Sequence, residues 1–118
     1  MERREDQMVD IQVFDQDKAT LVEVNGRIDS MNATQFGSML SEQIDNGHVK
    51  LVLDLAQVDY MSSAGLRELV AALKKVKRVA GDMRIADPSV RVREVLEMAG
   101  LDTIFLIFDT QNEAMESY

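Results

Sequence analysis

The chain has no cysteine, no tryptophan, one histidine and one proline in 118 residues. Without cysteine there is no disulfide framework, no thiolate zinc site and no cysteine nucleophile. With one histidine, a multi-histidine metal centre is excluded as well. Basic residues are also scarce: 13 lysines and arginines stand against 21 acidic side chains, for a net charge of −8. Nucleic acids and anionic membrane surfaces need a basic face, so neither is an expected partner. No apolar run approaches the roughly 20 residues that span a bilayer. Met1-Glu2-Arg3-Arg4-Glu5-Asp6 is not followed by an apolar stretch, so no leader is expected and the expected location is the cytoplasm. Residues 1–7 are expected to be a mobile, solvated end, and 8–118 a single domain. A chain of this length buries about two-thirds of its unfolded surface and needs no staple.

What is present is alternation. Val9, Ile11 and Val13 alternate with Asp10 and Gln12, the period of a half-buried strand. Asp15-Gln16-Asp17-Lys18 reads as a turn, and Leu21, Val22 and Val24 as a second strand ending at Asn25-Gly26. Asp29 or Ser30 then caps a helix with Ala33, Phe36, Met39/Leu40 and Ile44 on its apolar face. Gly37 interrupts it with no reason beyond close packing. Val49 to Leu55 is apolar on both faces, as in the covered centre of a parallel sheet. Leu51, Leu53 and Leu55 should face one side and Val52 the other. A helix follows with Leu66, Leu69, Val70, Leu73 and Val76 inward, then a short strand, Met83 to Ala86. Asp87 at N-cap and Pro88 at N1 predict a third helix, Ile104 to Phe108 a last strand, and Thr110 to Tyr118 a terminal helix. Gly47, Gly81 and Gly100 end the three main helices as left-handed caps. The order ββαβαβαβα implies an α/β domain: an N-terminal hairpin leading into a mostly parallel sheet covered by about four helices.

In such a sheet the useful loops lie beyond the carboxyl ends of the strands, here 26–30, 56–63 and 87–89. The middle loop ends Val58-Asp59-Tyr60-Met61-Ser62-Ser63-Ala64-Gly65-Leu66, with two serines at the entrance to a helix. Either hydroxyl can cap the first turn; Ser62, nearer the strand, is better placed to turn inward. A nucleophilic role for Ser63 would need His48 as its base. His48 precedes the central strand and Ser63 follows it, so the two fall at opposite ends of the sheet. The serine loop lacks the glycines and lysine of a phosphate loop. No enzyme activity, cofactor, metal or ATP binding is expected.

Val58 to Leu66 preceded by Leu51-Val52-Leu53-Asp54-Leu55, together with Gly26-Arg27-Ile28-Asp29 and the closing Gly100-Leu101-Asp102-Thr103-Ile104-Phe105, resembles the STAS domain family, specifically bacterial anti-sigma factor antagonists. The resemblance covers nearly the whole chain. It implies a partner switch: the unmodified protein binds an anti-sigma factor that is also a serine kinase, a sigma factor is released, and phosphorylation ends the association. A metal-dependent serine phosphatase resets the cycle. The family's phosphorylated serine falls on Ser63. Ser62 stands where many members carry aspartate, so the choice between the serines stays open to test. The implied docking rim is Asp29, Ser30, Met61, Ser62, Ala64, Gly65 and Ser89 around Ser63, on a monomer or weak dimer. For Asp29 and Met61, plain roles as helix cap and core remain alternatives. The family also contains non-phosphorylated accessory subunits of lipid-transport and stress-sensing assemblies, which would use Ser63 only as a cap.

Overall fold

The computed structural model describes residues 9–118. The expected flexible stretch at 1–7 lies outside the described residues. A hairpin opens the fold, β1 (Val9–Asp15) antiparallel to β2 (Thr20–Ile28). Then come α1 (Ala33–Asp45), β3 (Lys50–Met61), α2 (Ser63–Arg78), β4 (Asp82–Ala86) and α3 (Val90–Met98). A 3-10 turn at Leu101–Thr103 leads to β5 (Ile107–Phe108) and α4 (Gln111–Glu116). The sheet order is β1-β2-β3-β4-β5, and every pairing after the hairpin is parallel.

The alternation along β3 divides the core. Leu51, Leu53 and Leu55 join the larger cluster, under Phe36 and Leu40 of α1, Leu69 and Val76 of α2, and Val92 and Leu96 of α3. Val52 turns to the other face and meets Leu21, Ala86, and Ala114 and Met115 of α4. Three helices therefore cover one face of the sheet and a single short helix covers part of the other. Tyr118 closes the smaller cluster. Its hydroxyl lies 2.7 Å from the Leu51 carbonyl and 2.8 Å from that of Asp82, and the Arg84 guanidinium stacks on its ring.

Several boundaries differ from the expected ones. Strand β2 does not stop at Asn25-Gly26; its register slips at two points there, a bulge that lets the strand run on to Ile28. Strand β3 continues beyond Leu55 to Met61 because β2 is long enough to pair with it. Helix α3 begins two residues late. The Asp87 N–H is held by the Phe108 carbonyl just beyond the end of β4, with φ at +49°, and Ser89 takes the capping role. The run Ile104 to Phe108 pairs only at its end, since Ile85 and Ala86 alone offer partners and Ile104 caps the 3-10 turn.

Gly47 and Gly100 take the left-handed conformation expected of helix ends, but Gly81 does not; Ala80 does, at φ +65°. Gly81 is needed for contact instead, because a Cβ there would lie 2.2 Å from the Val49 carbonyl oxygen. The unexplained Gly37 also has a cause: a Cβ would lie 1.8 Å from Glu68 Oε1, at the crossing of α1 and α2. The obstacle at Gly81 is backbone, whereas the tip of Glu68 can swing away. Gly81→Ala should therefore cost about 1–3 kcal/mol, and Gly37→Ala should change stability by less than about 1 kcal/mol. Urea unfolding of the two variants measures the contrast.

Burial, reinforced by the Asp82 carboxylate, pushes the Tyr118 phenol well above its ordinary pKa of 10.0. The neutral form is thus favoured by folding. Its contribution is complete below pH 10 and is lost as the unfolded chain ionises at higher pH. Tyr118→Phe should cost about 0.5–1.5 kcal/mol at neutral pH. It should also flatten the loss of stability above pH 10, as read from urea midpoints across that range.

Candidate functional site

The carboxyl ends of β2, β3 and β4 form one rim. Backbone bonds join its loops: the Ser62 N–H donates to the Ile28 carbonyl at 2.8 Å, and the Ser89 N–H donates to that of Leu55 at 3.3 Å. The serine pair divides its labour. Ser62 is extended (φ −81°, ψ 168°) and its hydroxyl accepts from the Gly65 N–H at 3.1 Å, so it is the N-cap of α2. Ser63 is the first residue of the helix and is exposed. Its hydroxyl makes no hydrogen bond to any described residue. It therefore stands free at the positive end of a 16-residue helix, where a negative group is electrostatically welcome.

Asp29 organises the neighbouring loop. Its Oδ1 accepts from the backbone N–H groups of Met31 and Asn32 at 2.9 and 3.1 Å. Asn32 answers, with its Oδ1 accepting from the Asp29 N–H and its Nδ2 donating to the Arg27 carbonyl, both at 2.9 Å. The expected cap role of Asp29 thus holds the loop before α1, but the N-cap position itself is Asn32. Ser30 is exposed on that loop.

The remaining expected rim residues lie deeper. Met61 is buried, packed in the larger core, and offers no surface. Gly65 is buried too, and a Cβ there would come within 2.7 Å of Ile28 Cγ2 and 2.9 Å of Met61 Sδ. Its smallness serves the close seating of α2 on the strand ends, not the approach of a partner. Ser89 donates to the Val58 carbonyl at 2.6 Å and accepts from the Val92 N–H at 3.3 Å, so its hydroxyl is spent within the fold. Only Ala64, half-buried, remains beside Ser63 from that helix start.

The rim has exposed apolar groups that sequence reasoning missed. Met31 is 73% exposed, Val90 78% and Tyr60 38%, one from the end of each of three adjacent strands or the loop beyond it. Arg27 lies over the Tyr60 ring at 5.1 Å and approaches Asp29 Oδ2 at 3.7 Å. An exposed methionine is an adaptable contact. The signal for Met31 was its position in a polar loop; that for Tyr60 was its place opposite in phase to the buried Met61.

Among the described residues, no group of three or more histidine or acidic side chains is placed to hold a metal ion, and no helix is long and apolar enough to cross a membrane. His48 lies before the start of β3, with Nδ1 2.7 Å from Gln43 Oε1. The 12 residues of β3, at about 3.3 Å each, separate it from Ser63 by most of the molecule's 38 Å length.

A domain with this sheet order and a serine pair at this helix start matches the STAS domain model over residues 10–114, and the chain belongs to that family. Several of its relatives are named as anti-sigma factor antagonists. BtrV of Bordetella bronchiseptica, provisionally named an anti-sigma factor antagonist, is 35% identical over 80% of this chain and 82% of its own length. The anti-sigma-F factor antagonist RsfB of Mycobacterium tuberculosis is 27% identical over 91% of this chain and 87% of its own. Among solved structures, an anti-sigma factor antagonist from Mycobacterium paratuberculosis superposes with a TM-score of 0.85 at 25% identity, covering 94% of both chains. The antagonist SpoIIAA shares the fold at 21% identity when unphosphorylated (TM-score 0.78, 92% of this chain and 95% of its own). Its phosphorylated form from Bacillus shares it at 20% (TM-score 0.71, 92% and 98%).

The division between the serines makes a direct prediction. Ser62→Ala should cost about 0.5–2 kcal/mol through the lost cap. Ser63→Ala should stay within about 0.5 kcal/mol, as for a surface change. Urea denaturation of the two variants separates them.

Proposed function

We propose that this chain is an anti-sigma factor antagonist working by partner switching, with Ser63 as its phosphorylated residue. The observation that carries this reading is the free, exposed hydroxyl of Ser63 at the first position of α2, beside a serine already committed to capping. The names of its relatives support the same reading. In the unmodified state the rim formed by Asp29, Ser30, Met31, Tyr60, Ala64 and Val90 receives an anti-sigma factor that is also a serine kinase, and a sigma factor is set free. Met61, Ser62, Gly65 and Ser89 act beneath that surface, by shaping it.

Phosphorylation of Ser63 adds about −1.5 to −2 charges and three strong acceptors. The helix dipole and the free N–H groups of the first turn tolerate them, so the fold is kept. The partner meets a different surface: an anion with a tightly held hydration shell at the centre of an apolar contact, on a chain already at −8. Association weakens for that reason, not through unfolding. A metal-dependent phosphatase would restore the hydroxyl. The setting is the bacterial cytoplasm, and the chain itself performs no catalysis.

Incubation with the cognate kinase and ATP, followed by mass spectrometry, tests the assignment. Wild type and Ser62→Ala should gain one phosphate and Ser63→Ala none, while Ser63→Ala keeps its affinity for the partner. Ser63→Asp should bind about tenfold more weakly, a change of about 1.4 kcal/mol. Phosphate on Ser63→Ala but not on Ser62→Ala would move the switch to Ser62. No phosphate on the wild type would favour an accessory subunit in which Ser63 is structural.

A further inference from the structure

The flank of α2 carries a second feature that the switch does not use. Five of the chain's 13 basic residues lie on this one helix: Arg67, Lys74, Lys75, Lys77 and Arg78, against one acid, Glu68. Lys75 is held by Asp45 at 2.8 Å and Lys77 by Asp82 at 3.3 Å. Arg67, Lys74 and Arg78 make no ion pair with any described residue. These three cations edge a groove of about 610 Å³ between α2 and the corner that follows α3. Its floor is apolar, with Leu66 and Val70 from α2 and Leu101 from the corner. Ala71 and Ala99 line it with small side chains, which let a neighbouring backbone come close. Met98, 88% exposed, immediately precedes Ala99 in the chain.

We propose that this groove is a second docking surface, and that its occupant is an acidic amphipathic helix of a partner protein. Charge complementarity selects that occupant. A row of unpaired cations over an apolar floor fits a helix with leucine-like residues on one face and carboxylates beside them. The length agrees: from Leu66 to Arg78 the helix rises about 18 Å, roughly three turns of a partner helix. An extended polyanion or an anionic bilayer would meet the whole chain at −8, whereas a short helix meets only the local cations.

Most of the groove lies away from the switch, and only its near end, Leu66 and Arg67, falls within about 6 Å of Ser63 along the helix. Its centre at Val70, Ala71 and Lys74 lies about 11–16 Å along the helix from Ser63, beyond the screening length of about 8 Å at physiological salt. Lys74 and Arg78 lie beyond that length, so a partner held by them stays in place when Ser63 carries a phosphate, at an affinity lowered by the anion's pairing with Arg67, and the surface would keep a second protein at hand through both halves of the switching cycle. This proposal does not rest on Ser63 being the phosphorylated residue.

Two fluorescent peptides of about three to four turns test it. Both carry leucines at helical spacing; one flanks them with glutamates, the other with lysines at the same positions. Backbone amide shifts of the labelled protein map the contact, and anisotropy gives the affinity. The glutamate peptide should bind saturably below about 1 mM, shifting Leu66, Val70, Ala71, Lys74, Ala99 and Leu101. The lysine peptide should bind at least about tenfold more weakly. The exposed double change Lys74→Glu with Arg78→Glu should weaken the glutamate peptide by about tenfold or more, as should added salt. Ser63→Asp, which can pair with Arg67 one turn along, should weaken the glutamate peptide by no more than about threefold, less than the double change, because Lys74 and Arg78 lie beyond the screening length. The proposal is overturned by equal binding of both peptides, by no binding of either, or by shifts mapped away from the groove. It is overturned equally if the protein ignores both peptides but sediments with vesicles of phosphatidylglycerol and phosphatidylcholine.

Discussion

Along Leu51 to Leu55, strand β3 has no face open to water. Its odd positions fill the core under α1, α2 and α3, and Val52 fills the core under α4. A strand buried on both sides must pair on both edges, because an unpaired buried N–H or carbonyl costs about as much as a lost hydrogen bond. β2 and β4 supply those edges. The same strand runs on past the core to Met61 and delivers Ser62 and Ser63 to the start of α2. The position of the serine pair is thus a consequence of the packing of the sheet. Gly65, pressed against Ile28 and Met61, fixes how closely the helix start sits on the strand ends.

That rigidity decides what a phosphate on Ser63 can do. The side chain projects from a helix end whose Gly65 N–H is already capped by Ser62, and the loops beside it are locked by Asp29, Asn32 and Ser89. No element is poised to move when charge is added. A switch built this way changes what a partner meets and leaves the fold as it was. Its energy comes from desolvating a charged group in an interface, which is costly unless that group is paired.

Hydrophobic periodicity makes the element order, the hairpin, the parallel sheet and the two faces of β3 legible in the sequence, because burial dominates there. What it hid was set by contacts between distant parts of the chain. Gly81 reads as a helix-ending glycine, but the left-handed residue is Ala80 and the glycine answers to the Val49 carbonyl. Gly37 has its explanation on another helix, in Glu68. At the rim, Met61 and Met31 are the same residue type in stretches of similar polarity, the first at the end of β3 and the second in the loop after β2. Only the pairing of Ile28 with Met61 buries one and leaves the other in solvent. Asp87 and Pro88 match a helix start, yet the Asp87 N–H is tied to the Phe108 carbonyl at the end of the sheet and Ser89 caps the helix instead. Candidate site residues were therefore found as a neighbourhood, while their division into surface and support came from three dimensions.

The claim at the centre of this account is that modification at Ser63 acts on the surface alone. The most direct test compares backbone amide and methyl spectra of the unmodified protein with those of the protein carrying phosphoserine at 63. Shifts should be confined to the rim, in the loop from Asp29 to Asn32, the segment from Tyr60 to Arg67 and the start of α3. The methyl groups of Leu51, Val52, Leu53 and Leu55, and hydrogen-exchange protection along β3, should be unchanged. Shifts running through those core methyls, or a loss of protection in β3, would contradict it and show that the switch works by rearranging the fold.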